Sequence, residues 1–416
     1  MKKYWKSITI ILITVLGIGT FYIQSYISAL SLPDFKIETV EGDETFIENI
    51  VLVSEYVTDA ENVDEYGYGY GQILYLTEDN TIYRNQLSLI NEMKGIPETR
   101  ERFLRDEYSS FFRGINMWNE SIYEDEQYLV SADIVYNYYR GLSEGVKVKY
   151  LNKENGQTES IDYPLSSNNH LIIDDIQVNG DTILVFAKQW TFREDGHAKE
   201  AAYLYKFDMN TNELITTEEL YVVEAEPDQY VDISILHDSK SWSPNDYVVY
   251  RSIMQRDEAV QEYDVEDEFG DGERVQLEDN RLFAYEVATG EMKEVNLPES
   301  LRDRFVNYFD GSNLYYVTGD VDELKLAVYS LKEDKIINEL EIEYTKYDNA
   351  RMPGYYMLTV DDGYVYFHET LVTDEGTSFL QVIDTTTGEI VYKGKIVPEK
   401  SDLQFEMFIM RTEFQY

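Results

Sequence analysis

The chain has 416 residues, 43% of them apolar, with 37 Tyr, 18 Phe, no Cys and a formal net charge of −45 at pH 7. The apolar and aromatic content supplies a packed core and excludes global disorder. The charge argues against nucleic-acid binding, which needs clustered Lys and Arg to release counterions. The missing cysteines exclude disulfides, thiolate metal sites, thiol catalysis and lipid attachment at an N-terminal Cys.

The N-terminus reads MKKYWKSITIILITVLGIGTFYIQSYISAL, with Lys2, Lys3 and Lys6 followed by an uncharged run from Ser7 to Leu30. At about 1.5 Å per residue that run spans a bilayer core of about 30 Å with some tilt. Tyr4 and Trp5 at one end, and Tyr22 and Tyr26 at the other, suit interfacial anchoring. The segment therefore predicts a transmembrane signal anchor over residues 8–30, with a cytoplasmic tail (1–7) and an extracytoplasmic part (31–416). The setting expected is a bacterial cell membrane crossed once. A cleaved signal peptide ending near Ala29-Leu30-Ser31 is the alternative.

Downstream, DEYGYGYGQILYL alternates Tyr with Gly, so Tyr66, Tyr68 and Tyr70 would share one face of a strand. With no side chains opposite, they are candidates for a stacking platform that binds a ligand. Next comes GIPETRERFLRDEYSSFFRG (95–114), where Leu104, Tyr108 and Phe111 recur at helical spacing after Pro97. It predicts a helical insertion packed on a sheet by its apolar face.

The remainder repeats. An acid lies at Asp208, Glu286 and Asp384, Thr at 211, 289 and 387, then Asn212, Gly290 and Gly388, then Glu213, Glu291 and Glu389. That is the chemistry of a short hairpin: an acid caps backbone N–H groups, and Gly or Asn takes the left-handed conformation. Looser copies turn near Asp79-Asn80, Asn155-Gly156 and Glu333-Asp334. A second turn class alternates with the first, at Glu124-Asp125, Asn179-Gly180, Pro244-Asn245, Asp310-Gly311 and Asp362-Gly363, with Gly42 expected to supply its sixth member. Two alternating hairpins describe one four-stranded antiparallel unit, repeated. Such a thin sheet needs neighbours on both faces, which radial packing provides.

Here the segment SKSWSPNDYVVYRS (239–252) resembles the Trp-Ser-Pro-Asp-Gly turn of TolB-type propeller repeats, with Asn245-Asp246 where Asp-Gly is usual. DTTTGEIV (384–391) resembles the hairpin of YVTN and quinoprotein-like propellers. The fold class these imply is an all-β propeller of six blades from about residue 36 to 400, or seven if residues 85–125 hold another. A pair of β-sandwich domains is the competing architecture. The final segment, LQFEMFIMRTEFQY, is expected to close the ring beside the first blade.

Chemistry is sparse. Among the histidines, 170, 197, 237 and 368, none forms a local ligand pattern, and His368 ends a strand from which it could face a central channel. Asp264, Glu266, Asp267 and Asp271 are the candidate metal ligands, and calcium is the only cofactor their oxygens suggest. The spacing fails for an EF-hand, because Phe269 stands where Gly is required. No phosphate-binding glycine loop and no Gly-x-Ser-x-Gly elbow occurs. The function expected is a membrane-tethered, non-catalytic module that binds a protein or cell-envelope polymer. The alternatives are a hydrolase or lyase working in the propeller funnel, and a calcium-dependent module.

Overall fold

The structure is a computed structural model. It describes residues 5–29, 32–57, 71–78, 80–88, 91, 100–115, 121–137, 142–165, 170–192, 198–226, 229–236, 242–256, 277–302, 304–320, 323–342, 356–369, 371–373, 379–400 and 405–415.

Helix α1 (Trp5–Ala29) has 25 residues. Ile8, Ile10, Ile11, Ile13 and Leu16 stand exposed on it. Several of its side chains lie outside the described set, and among the described residues no helix is long and apolar enough to cross a membrane.

Strands follow: β1 (Phe35–Gly42), β2 (Ile50–Val57), β3 (Gln72–Leu76) and β4 (Thr81–Tyr83). A short helix α2 (Arg100–Glu107) then precedes the first complete meander. That meander is β5 (Ser121–Glu124), β6 (Tyr128–Asn137), β7 (Leu142–Asn152) and β8 (Thr158–Pro164). The next is β9 (His170–Asn179), β10 (Thr182–Phe192), β11 (Ala198–Asp208) and β12 (Glu213–Ala225). Then come β13 (Gln229–Leu236), β14 (Tyr247–Arg256), β15 (Leu277–Glu286) and β16 (Met292–Glu294). A fourth run holds β17 (Tyr308–Phe309), β18 (Asn313–Asp320), β19 (Glu323–Ser330) and β20 (Lys335–Ile342). The chain ends with β21 (Tyr356–Asp361), β22 (Tyr364–Glu369), β23 (Leu371–Thr373), β24 (Phe379–Asp384), β25 (Ile390–Pro398) and β26 (Glu406–Phe414).

These strands form six sheets, all of whose described pairings are antiparallel. Sheets II to V are the consecutive four-stranded meanders β5–β8, β9–β12, β13–β16 and β17–β20. Sheet VI has the order β1-β25-β24-β22-β21, and sheet I the order β23-β26-β2-β3-β4. The repeat is thus the expected four-stranded unit, with a fifth strand added in two places. No seventh sheet forms among the described residues, where the 85–125 stretch holds α2 and only the opening strand of sheet II.

One turn falls elsewhere than expected. Gly42 does not join two neighbouring strands, because β1 pairs with β25, from Phe35↔Pro398 to Gly42↔Tyr392, and β2 belongs to another sheet. The place beside β2 is taken by β26, with Ile50↔Phe414 and Val57↔Glu406. The C-terminal segment therefore pairs beside the first blade strand, as its sequence predicted.

Two compact units are distinguished. The first comprises residues 1–109, 319–325 and 340–416, and holds sheets I and VI. Their shared core includes Phe35, Leu52, Leu74, Tyr392 and Met407, so both chain ends contribute to it. The second comprises residues 110–318 and 326–339. Within it, alternation along each strand feeds two different cores. On β10, Ile183, Val185 and Ala187 enter the core with sheet II, whereas Leu184 and Phe186 enter the core with sheet IV. On β14, Val248 and Tyr250 face sheet III, whereas Tyr247 and Val249 face sheet V. Sheets III and IV are accordingly buried on both faces, and period-2 patterning looks apolar on each.

The repeated hairpin has one geometry. Gly156, Asn212, Gly290, Asp334 and Gly388 all have positive φ, between 52° and 76°. Each donates its N–H to the carbonyl four residues back: Asn152, Asp208, Glu286, Ser330 and Asp384, at 2.8–2.9 Å. The Asp384 carboxylate caps Thr386 N and Thr387 N at 2.7 and 2.9 Å. The TolB-like turn knits sheets together: Trp242 O accepts from Glu124 N at 2.5 Å, and Asn245 N donates to Gln177 Oε1 at 2.9 Å. Asp246 Oδ2 accepts from Ser312 Oγ at 2.7 Å.

Candidate functional site

The most unusual chemistry of the described residues lies between sheets III and IV. Lys188 continues the parity of Leu184 and Phe186 on β10, so its stem enters that interface. On β11, Glu200 pairs opposite Trp190 and shares the face of Ala202 and Leu204. Both reach the edge strand β13 of sheet IV, whose free edge needs partners for its backbone. Glu200 Oε2 accepts from Ile233 N at 2.8 Å, and Lys188 Nζ donates to Ile233 O at 3.2 Å. Together they cap one residue of an open strand edge.

Two more carboxylates crowd the lysine. Asp232 Oδ1 is 3.7 Å from Lys188 Nζ, and Glu200 Oε1 is 3.9 Å from it. Asp174 is the extra residue of a β-bulge, where the β9–β10 register passes from Phe186↔Asp175 to Ala187↔Ile173. Such a bulge re-aims a side chain. Its Oδ2 is buried without a hydrogen-bond partner.

One cation does not neutralise three anions out of water. Burial pushes the Asp174 carboxyl up to about 7, opposed by Lys188 and reinforced by Glu200 and Asp232. Burial likewise pushes Glu200 up to about 7, against the Ile233 N–H and Lys188. Tyr250, fully buried with an unpartnered hydroxyl, rises well above its ordinary value through burial and then through Asp174 and Asp175. Tyr230 stands 56% exposed on β13, raised by burial and then by Asp232 and Glu200. Chemically, the cluster can hold a proton near neutral pH, and its carboxylates act on the exposed Tyr230 hydroxyl.

Tyr66, Tyr68 and Tyr70 fall between β2 and β3, and Asp264, Glu266, Asp267 and Asp271 between β14 and β15, all outside the described residues. His197 and His237 are outside them too. Among the described residues no group of three or more His, Asp or Glu is arranged for a metal ion. His368 does not face open space: it is 1% exposed, Nε2 lies 3.0 Å from Thr412 Oγ1, and burial holds its pKa down to about 4. His170 stacks on Trp190, with ring centroids 5.8 Å apart. Sequence reasoning passed over Lys188 and its carboxylates because 80 acids make any pair unremarkable. The usable signal was one lysine inside TILVFAKQW, on the face that carries Leu184 and Phe186.

No protein-family model matches the chain, and no curated protein does. Solved structures do. The chain is similar to the beta-propeller domain of the Trilobed protease from Pyrococcus furiosus, at 14% identity and a TM-score of 0.30, covering 88% of this chain and 97% of that one. It is similar to TolB from Acinetobacter baumannii at 11% identity and a TM-score of 0.24, covering 93% and 84%. A protein described as a dipeptidyl aminopeptidase IV from Bacteroides ovatus matches at 16% identity and a TM-score of 0.33 over 79% of this chain, which spans 45% of that protein's length. None of these brings an activity to this chain.

Proposed function

We propose that the chain is a six-bladed β-propeller tethered to the outer side of a bacterial cell membrane by α1, and that it binds a protein or envelope polymer there. The observation that carries the reading is the strand plan. Four successive meanders bury their sheets face to face, and both chain ends supply strands to the other two sheets. Blades need that arrangement to remove their exposed faces and edges. The tether is supported by the uncharged run after Lys6 and by the exposed aliphatic side chains of a 25-residue helix. The binding role is supported by the exposed Tyr230 and the carboxylates of Asp232 and Glu200 that act on it, and Tyr66, Tyr68 and Tyr70 remain candidate contacts. Membrane fractionation with external protease should leave the protein in the membrane and digest its bulk from outside. Capture of partners from intact envelopes should fall in Asp232→Asn and Tyr230→Ala variants. Recovery in the soluble fraction at full length, with unchanged capture, would sink the reading.

A second reading, an extracytoplasmic hydrolase or lyase, is favoured by Asp174 and Glu200, whose values near 7 suit proton transfer. A Glu200→Gln variant that retains capture but loses turnover of an envelope polymer would select it. Calcium dependence would show as a melting temperature that falls on adding chelator.

A further inference from the structure

The next interface, between sheets IV and V, encloses a cation with one guanidinium nitrogen that has no acceptor. Arg251 is 9% exposed. It pairs opposite Ser234 and Leu282, on the face of Val249 that looks towards sheet V. Its Nε donates to Asn280 Oδ1 at 3.1 Å, and Asn280 in turn donates to the Arg302 carbonyl at 3.2 Å. Nη2 is buried with no hydrogen-bond partner. Beside it on β18, Tyr316 is fully buried, and its hydroxyl also has no partner. The two groups sense one another: burial lowers the arginine, opposed by the phenol and then by the Asp232 carboxylate, while burial raises the phenol and the guanidinium opposes that. Over the guanidinium, at 4.3 Å, lies the ring of Phe305, which is 61% exposed.

A buried guanidinium nitrogen with no acceptor is costly even where a carboxylate offsets part of the charge, and an orphaned phenol adds to it. Two adjacent donors call for one acceptor group with two oxygens. A carboxylate offers that, in the planar fork arginine prefers. A phosphate would bring more negative charge into an already strongly acidic chain, and the ring that covers the site is apolar. We propose that Arg251, Tyr316 and Phe305 form a binding site for a carboxylate, carried by a small organic acid or by a peptide C-terminus. Arg251 Nη2 and the Tyr316 hydroxyl donate to its oxygens, and Phe305 closes over the carbon next to it. The site names a ligand class beyond the binding reading above and does not depend on the tether, so failed fractionation would leave it standing.

The test uses the full chain in detergent and ligand-observed NMR titration with three probes: propionate, an acetylated dialanine with a free C-terminus, and the same peptide amidated. The free carboxylates should bind and the amide should not. Propionate alone would assign the site to small acids, and tighter binding of the free peptide would assign it to chain ends. Arg251→Lys should weaken binding about tenfold or more, and Tyr316→Phe about tenfold, as loss of a hydrogen bond to a charged group requires. Arg251→Met should lose binding while its melting temperature holds or rises, because a buried charge is removed. If neither free carboxylate binds the unaltered chain, or if the lysine and phenylalanine variants bind as it does, the proposal falls. A sharply lowered melting temperature in Arg251→Met would also overturn it, by making the arginine a purely structural group.

Discussion

At the residue scale, buried titratable groups in the two units respond to pH in opposite directions. Asp174 and Glu200 have folded-state values raised above their unfolded ones, so the stability they confer is fully present below about pH 4 and lost as pH rises through about 7. For Asp174 the loss is on the order of 4 kcal/mol at most. The groups that act on it or sense it are Lys188, Glu200, Asp232 and Tyr250, drawn from β10, β11, β13 and β14. His368 is depressed to about 4, so its contribution is present above its unfolded value near 6.5 and lost as pH falls. Hydrogen exchange should therefore show β10 and β13 loosening between pH 6 and 8.5, and β22 and β26 loosening between pH 6.5 and 4. Asp174→Asn should flatten the alkaline limb. An unchanged limb in that variant would show that its carboxyl is already solvated. Lys188→Met should cost about 3 kcal/mol in urea denaturation, since it strands Glu200 and the Ile233 carbonyl. The double change Lys188→Met with Glu200→Gln should cost less than the single one.

At the element scale, the hairpin shows how local chemistry becomes a repeat. The acid, Thr and Gly of Asp384, Thr387 and Gly388 were legible as a turn because each residue's role is local: capping, then a left-handed step. Gly388 has φ of 76°, and a Cβ there would meet Leu340 Cδ2 at 3.1 Å. Gly388→Val should accordingly cost about 2 kcal/mol, measured by urea denaturation, whereas Asn212→Gly should be neutral or slightly stabilising. The strand faces were legible too. Leu282 and Ala284 go to one core and Phe283, Tyr285 and Val287 to the other, as period-2 alternation requires. Gly42 misled for a physical reason. A turn signal says that the chain reverses, but not which strand receives it, and β1 leaves for β25 across most of the sequence. The Asp174 bulge had no local signal at all.

At the scale of the whole molecule, the charge of −45 sets a self-repulsion that the packed sheets must offset. Raising sodium chloride from about 10 to 150 mM, which shortens the Debye length from about 30 to 8 Å, should raise the melting temperature by several degrees. Truncation before Phe405 removes β26, uncovers the edge of β2 and deletes Met407 and Ile409 from the core. Such a chain should aggregate or lose its cooperative melt, as size-exclusion chromatography and circular dichroism would show. The sequence by itself determined the repeating unit, its turns and its two-faced strands, because those depend on residues a few positions apart. It also determined the charge, and with it the kinds of partner that would be repelled. Only tertiary structure decided that one lysine meets three carboxylates from different strands, and that Arg251 and Tyr316 meet with no acceptor between them. Those encounters are set by register and by sheet stacking, where a shift of one residue would turn each group to the opposite face.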